Sequence, residues 1–125
     1  MKKKKMMVID RVFKIAPPGT VIPKPFATGQ FRVVRMGKRR SERALIYSIP
    51  NRKTPRRPYE KGVTVSEFNK AYDQLITAGQ LTRRWFKKNV PACETEGPCN
   101  FTTVGGLFIL LGKAMYTTRG VYSKR

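Results

Sequence analysis

A chain of 125 residues with 27 Lys and Arg, 7 Asp and Glu and no His carries a formal net charge of +20. Self-repulsion of that size costs stability, and it fits a polyanion that releases counterions as it docks: nucleic acid first, an acidic protein or a membrane surface after it. An apolar fraction of 40% excludes wholesale disorder, and the length sets one compact domain over 1–125 that buries about two thirds of its unfolded surface.

The first segment, 1–5, is a basic tail of four lysines after Met1. Together with the brief apolar run that follows, broken by Asp10 and Arg11, it does not read as a secretion signal, and a cytoplasmic location is expected. Residues 6–50 read as a β-rich half. "MMVIDRVFKI" has the β-branched and aromatic content of a strand, "APPGT" stops it, and "VIPKPFATGQ" is a loop. "FRVVRM" and "ALIYSI" then flank "GKRRSER" as an antiparallel hairpin with a basic turn, although alternation in the first arm is imperfect.

Residues 51–62 form a basic, Pro-rich linker in which Pro55 and Pro58, after Pro50, exclude a helix or a central strand. The helical half, 63–125, opens with Thr64 and Glu67 at capping-box spacing, and Phe68, Ala71, Tyr72, Leu75 and Ile76 recur at helical period until Gly79. A second helix from Arg83 to Asn89 has Thr82 as its cap, Leu81 to staple onto Phe86, and Pro91 beyond its end. A third runs from about Asn100 or Thr102 to Gly112, with Phe101, Val104, Leu107, Phe108 and Leu111 as its stripe. "AMYT" and "VYS" around Arg119 and Gly120 suggest a small hairpin.

The longest apolar stretch, "GGLFILLG", is far short of the roughly 20 residues of a spanning helix, so no membrane partner is expected. Cys93 and Cys99 read as ordinary thiols in a loop; two ligands without a histidine do not make a zinc site, and neither metal nor cofactor is expected. No catalytic residues are assigned. There is no histidine for acid–base work, no phosphate-cradling loop followed by Lys-Ser or Lys-Thr, and no clustered carboxylates for a metal-dependent nuclease.

Basic clusters carry the functional expectation. Arg83, Arg84, Lys87 and Lys88 share one helical face with no acidic residue between Gln80 and Cys93, and a phosphate backbone is the natural counter-charge. Lys38, Arg39 and Arg40 at the hairpin turn, and Arg52, Lys53, Arg56 and Arg57 in the linker, suit phosphate tracking or minor-groove insertion.

Three short helices followed by a basic hairpin give 63–125 a resemblance to winged helix-turn-helix DNA-binding domains, one of architecture without a family-specific motif. It implies an α+β protein in which an N-terminal antiparallel sheet packs against a three-helix, winged-helix-like half. It also implies DNA contacts from Thr102 and Thr103 early in the last helix and from Arg119 in the hairpin. Gly105 and Gly106 have a competing reading as close-packing positions in the core. The expected function is binding of nucleic acid, duplex DNA ahead of RNA, as a transcriptional or mobile-element accessory protein. The alternatives are a ribosomal-like RNA-binding protein with stacking platforms among Phe31, Tyr47, Tyr59, Trp85, Tyr116 and Tyr122, a small basic ribonuclease or toxin, and a subunit docking an acidic protein. The oligomeric state is left open.

Overall fold

The computed structural model describes residues 6–26 and 29–125; the lysine tail at 1–5 lies outside them. The first element corrects the sequence expectation. Residues Val8–Ile15 form a helix, α1, not a strand. Ile9, Val12 and Ala16 are fully buried with Phe13 packed beside them, a spacing of three and four that only a helix places on one side. Asp10 in the first turn and Lys14 in the last suit the helix dipole, and Pro17 follows the end. Tertiary packing of that stripe outweighs the β preference of its Val and Ile residues.

A short strand, β1 (Val21–Ile22), pairs with β2 (Phe31–Arg39), which pairs with β3 (Glu42–Ile49), which pairs with β4 (Tyr59–Thr64) in one antiparallel sheet of that order. The β2–β3 hairpin is tighter than expected. The strands run through Gly37–Arg39 and resume at Glu42, leaving Arg40 and Ser41 as a two-residue turn with φ of 50° and 63°. Both residues at positive φ fit the twist of a type I′ hairpin. A register shift between Val33 and Arg35 leaves Val34 unpaired, which accounts for the broken alternation of that arm.

In the central strand β3, Ala44, Leu45, Ile46 and Tyr47 are all fully buried, so both sheet faces are covered there. Ile46 lies over two glycines: a Cβ at Gly62 would come within 2.9 Å of Ile46 Cδ1 and 2.7 Å of Arg39 Cγ, and one at Gly37 within 3.0 Å of Ile46 Cγ1. The aliphatic stem of Arg39 thus lies over Gly62 beside Ile46 while its charged head reaches Glu96.

The segment read as a linker does not join two halves at arm's length. It is the connection between β3 and β4, and its last residues, from Tyr59, are an edge strand that begins directly after Pro58. Asn51 organises its start: Nδ2 donates to Arg57 O at 3.0 Å, and Oδ1 accepts from the backbone of Lys53 and Thr54 at 3.1 and 3.2 Å.

From β4 the chain enters α2 (Val65–Ala78) through the expected capping box between Thr64 and Glu67, and leaves it through Gly79 at φ 82°. The sequence left β5 (Gln80–Thr82) unrecognised. It joins β7 (Val121–Lys124) and β6 (Ala114–Thr118) in a second antiparallel sheet of order β5-β7-β6. Between these strands lie α3 (Arg83–Asn89), capped as expected by Thr82, whose Oγ1 accepts from Trp85 N at 3.1 Å, then α4 (Pro91–Glu96) and α5 (Cys99–Leu110). The short α4 replaces an expected loop. Pro91 does not only end α3; it also opens the next helix at a position where its missing N–H is free of cost. Cys93 is therefore a buried residue of α4 and Cys99 the first residue of α5, both free thiols and neither in a loop. The structure is α+β, with five helices among the described residues.

One hydrophobic cluster takes side chains from α1, both sheets, α2, α3 and α5. At its centre, α5 is buried on most sides. A Cβ at Gly105 would run into the Tyr122 ring, and one at Gly106 into the carbonyl of Pro23 and the side chain of Ile22. These two glycines let β7 and the chain after β1 close onto the helix.

Candidate functional site

The acidic residues decide which cations the fold consumes. Arg35 pairs with Glu60 at 2.8 Å, Arg43 with Asp10 at 2.6 Å, and Arg83 with Glu94 at 2.9 Å. Glu42 instead receives Ser66, through its backbone N–H at 3.2 Å and its hydroxyl at 2.7 Å. The densest network is at the first hairpin tip. Arg40 donates to both carboxylate oxygens of Glu67 at 2.7 and 2.6 Å, to Gly62 O at 2.9 Å, and to Glu96, which also receives Arg39 at 3.3 Å.

Burial alone would raise the Glu67 carboxyl. The guanidinium of Arg40 and the Thr64 N–H outweigh it and hold the acid below its ordinary value. Cys93 lies against the same carboxylate, and burial pushes its thiol well up, the neighbouring charge of Glu67 adding to the effect. Arg39 and Arg40, expected at a flexible basic turn, are thus tied into the molecule, where they clamp the hairpin to the start of α2 and to α4. Lys38 beside them is exposed and has no carboxylate partner among the described residues.

On α3 the distribution is reversed. Phe86 is fully buried and Trp85 half-buried, which turns Arg84, Lys87 and Lys88 outward, all exposed. None of the three has a carboxylate partner among the described residues. Arg83 does, because α4 folds back and brings Glu94 to it from beyond the interval that looked free of acids; its other amino group reaches Pro98 O at 3.2 Å. These four cations line one shallow depression. Arg52, Lys53, Arg56 and Arg57 are also exposed, on the β3–β4 connection.

The first turn of α3 touches the second hairpin: Arg83 N donates to Gly120 O at 3.0 Å, next to the exposed Arg119. Between them opens a cleft of about 270 Å³ bounded by residues 24–26, the start of α5 and the β6–β7 hairpin. Among the described residues its cations are Lys24, Arg83 and Arg119, and no carboxylate lines it. Lys24 Nζ sits 4.0 Å from the Phe31 ring centroid, Arg83 4.8 Å from that of Phe101, and Arg119 6.0 Å from that of Phe26. Partial burial draws the Lys24 ammonium below its ordinary pKa. Burial likewise pushes the Tyr122 phenol up, to about 12.

The start of α5 departs from the expectation. Thr102 borders the cleft, but Thr103 is fully buried and so closed to a ligand. Asn100 is a core residue, donating to Cys93 O at 2.8 Å and accepting from the Tyr47 hydroxyl at 2.5 Å. Of the aromatic residues weighed as stacking platforms, Tyr47 and Tyr122 are buried, Phe31 and Trp85 are half-buried, and Tyr59 and Tyr116 are exposed. Phe26 and Phe101 line the cleft and were missed, since a lone Phe in a Pro-rich loop and a Phe in a core stripe give no signal of a shared wall. Comparison with protein-family models, curated proteins and solved structures returns no match.

Proposed function

We propose that this protein binds nucleic acid, in the form of duplex DNA, by pairing its basic surface with phosphates, and does no chemistry on it. The observation that carries the reading is α3. Arg84, Lys87 and Lys88 are held outward by the burial of Phe86, lack carboxylate partners among the described residues, and adjoin Arg119 across the Arg83–Gly120 hydrogen bond. Like charges three and four residues apart repel one another, so this face is relieved when an anion docks.

The succession α2, β5, α3, α4, α5, β6, β7, with β7 between β5 and β6, supports a winged helix-turn-helix reading in which the β6–β7 hairpin is the wing and the short α4 is an addition to the three-helix pattern. The burial of α5 departs from the usual division of labour, in which the last helix enters the major groove. Contact here falls to α3 and the wing, which suits phosphate binding more than base readout.

The test is binding to duplex DNA, single-stranded DNA and RNA at about 50 and 200 mM salt, where neutralising several phosphates together weakens affinity by roughly tenfold or more. Duplex DNA is expected to bind tightest and to stay intact with magnesium or manganese present. An affinity indifferent to salt would point to a protein partner instead.

A further inference from the structure

We propose that the cleft between residues 24–26, α5 and the β6–β7 hairpin takes one unpaired nucleobase with its phosphate, so that the preferred form of the DNA carries an unpaired nucleotide at an end or a mismatch. This rests on the nucleic-acid reading above and gives it a substrate feature.

Size is the first argument. A cleft of about 270 Å³ lies just below the roughly 300–1,000 Å³ of pockets for drug-sized ligands, so it admits one planar ring system and no length of duplex.

Chemistry is the second. Phe26 is 56% exposed and Tyr116 36% exposed, an unusual display for large rings at one cleft. Tyr116 is also braced from behind. It meets Tyr122 edge-on at 5.6 Å and 71°, Tyr122 meets Phe101 at 5.4 Å, and Phe101 meets the core residue Phe86 at 5.5 Å. A ring anchored to the core by a chain of edge contacts, with area left open, is what a base needs to stack on.

Charge is the third. Lys24 and Arg119 have no carboxylate partner among the described residues and are seated over the rings of Phe31 and Phe26, which places cations beside aromatic faces. An apolar ligand gains nothing from that arrangement; an anionic nucleotide uses both parts. Arg83 lines both this cleft and the cationic depression on α3, so a strand whose phosphates lie on α3 has a continuous path by which one nucleotide reaches the cleft.

The experiment uses the full chain and two DNA duplexes, one blunt with 2-aminopurine in a base pair near its end, the other with 2-aminopurine as a single unpaired overhanging nucleotide. Stacking on an aromatic ring changes the emission of this base. The expected result is that the overhang duplex binds about tenfold more tightly than the blunt one, with an emission change on binding that the blunt duplex lacks. Phe26→Ala, at an exposed position outside the wing and verified as folded by circular dichroism, removes the preference and the emission change while blunt-duplex affinity is kept. Arg84→Gln, Lys87→Gln and Lys88→Gln together weaken both duplexes in parallel and leave the ratio unchanged. Equal affinity for the two duplexes with unaltered emission overturns the cleft assignment alone; failure to bind either at low salt overturns it together with the reading it rests on.

Discussion

Arg39 and Arg40 at the tip of the first hairpin and Arg84, Lys87 and Lys88 on α3 belong to stretches of similar basic character, "GKRRSER" and "TRRWFKK". Folding puts them to opposite uses. At the hairpin, Glu67 arrives from the first turn of α2 and Glu96 from α4, and the arginines become internal struts. On α3 the neighbouring acid, Glu94, reaches only Arg83, and the remaining three cations stay outside. Density of positive charge in a sequence therefore marks two kinds of site. Which kind it is depends on where a handful of carboxylates lie in space, with 7 available against 27 cations.

The contrast is broken most severely at Arg40. Arg40→Ala leaves Glu67 as a partly buried carboxylate without a cation and Glu96 with Arg39 alone, and loss of one member of such a network costs about 3 kcal/mol, the low end for buried pairs; the low end applies because 23% of the Arg40 side chain is exposed. A fall in the urea midpoint with an unchanged slope checks it. The effect has a pH signature. The pairing depresses Glu67 in the folded state, so the stability it contributes is present above the unfolded pKa and is lost as pH falls through the folded one. The gap between parent and variant should narrow as the pH drops below about 4. A gap that stays constant with pH would mean that Arg40 acts by packing alone.

A smaller loss of stability is expected from Gly105→Ala, which sharpens the same comparison by asking whether α5 is surface or core. The added methyl meets the Tyr122 ring, and overpacking of this kind costs about 2 kcal/mol. A groove-reading helix would tolerate the methyl with little change in the unfolding midpoint.

Local signals in the sequence were legible where the chemistry is local. The capping box at Thr64 and Glu67, the Thr82 cap, the Gly79 stop and the β6–β7 hairpin all lie as expected. What was not legible depends on distant partners. α1 was read as a strand for its β-branched and aromatic content, and packing of its buried side against α2, α5 and β3 selects the helix. β5 is three residues long and exists because β7 returns to it. The ion pair from Arg83 to Glu94 depends on α4, which Pro91 concealed by resembling a stop. For the candidate site, the cations of α3 were readable from their spacing. The cleft was not, since Lys24, Phe26, Thr102 and Tyr116 come together from separate parts of the chain.

The central claim is that the cations of α3 serve a phosphate backbone and not the fold, and it is tested most directly by replacing Arg84, Lys87 and Lys88 together with glutamine. Glutamine keeps helix propensity, and relief of like-charge pairs worth about 0.2–0.5 kcal/mol each leaves stability level or slightly higher. The measurement is affinity for duplex DNA across a salt titration. The account predicts weaker binding at every salt concentration and a slope of log affinity against log salt shallower by up to about 0.9 for each phosphate contact removed. A variant that binds as tightly as the parent, with the parent's slope, would contradict it and make α3 a solvated surface.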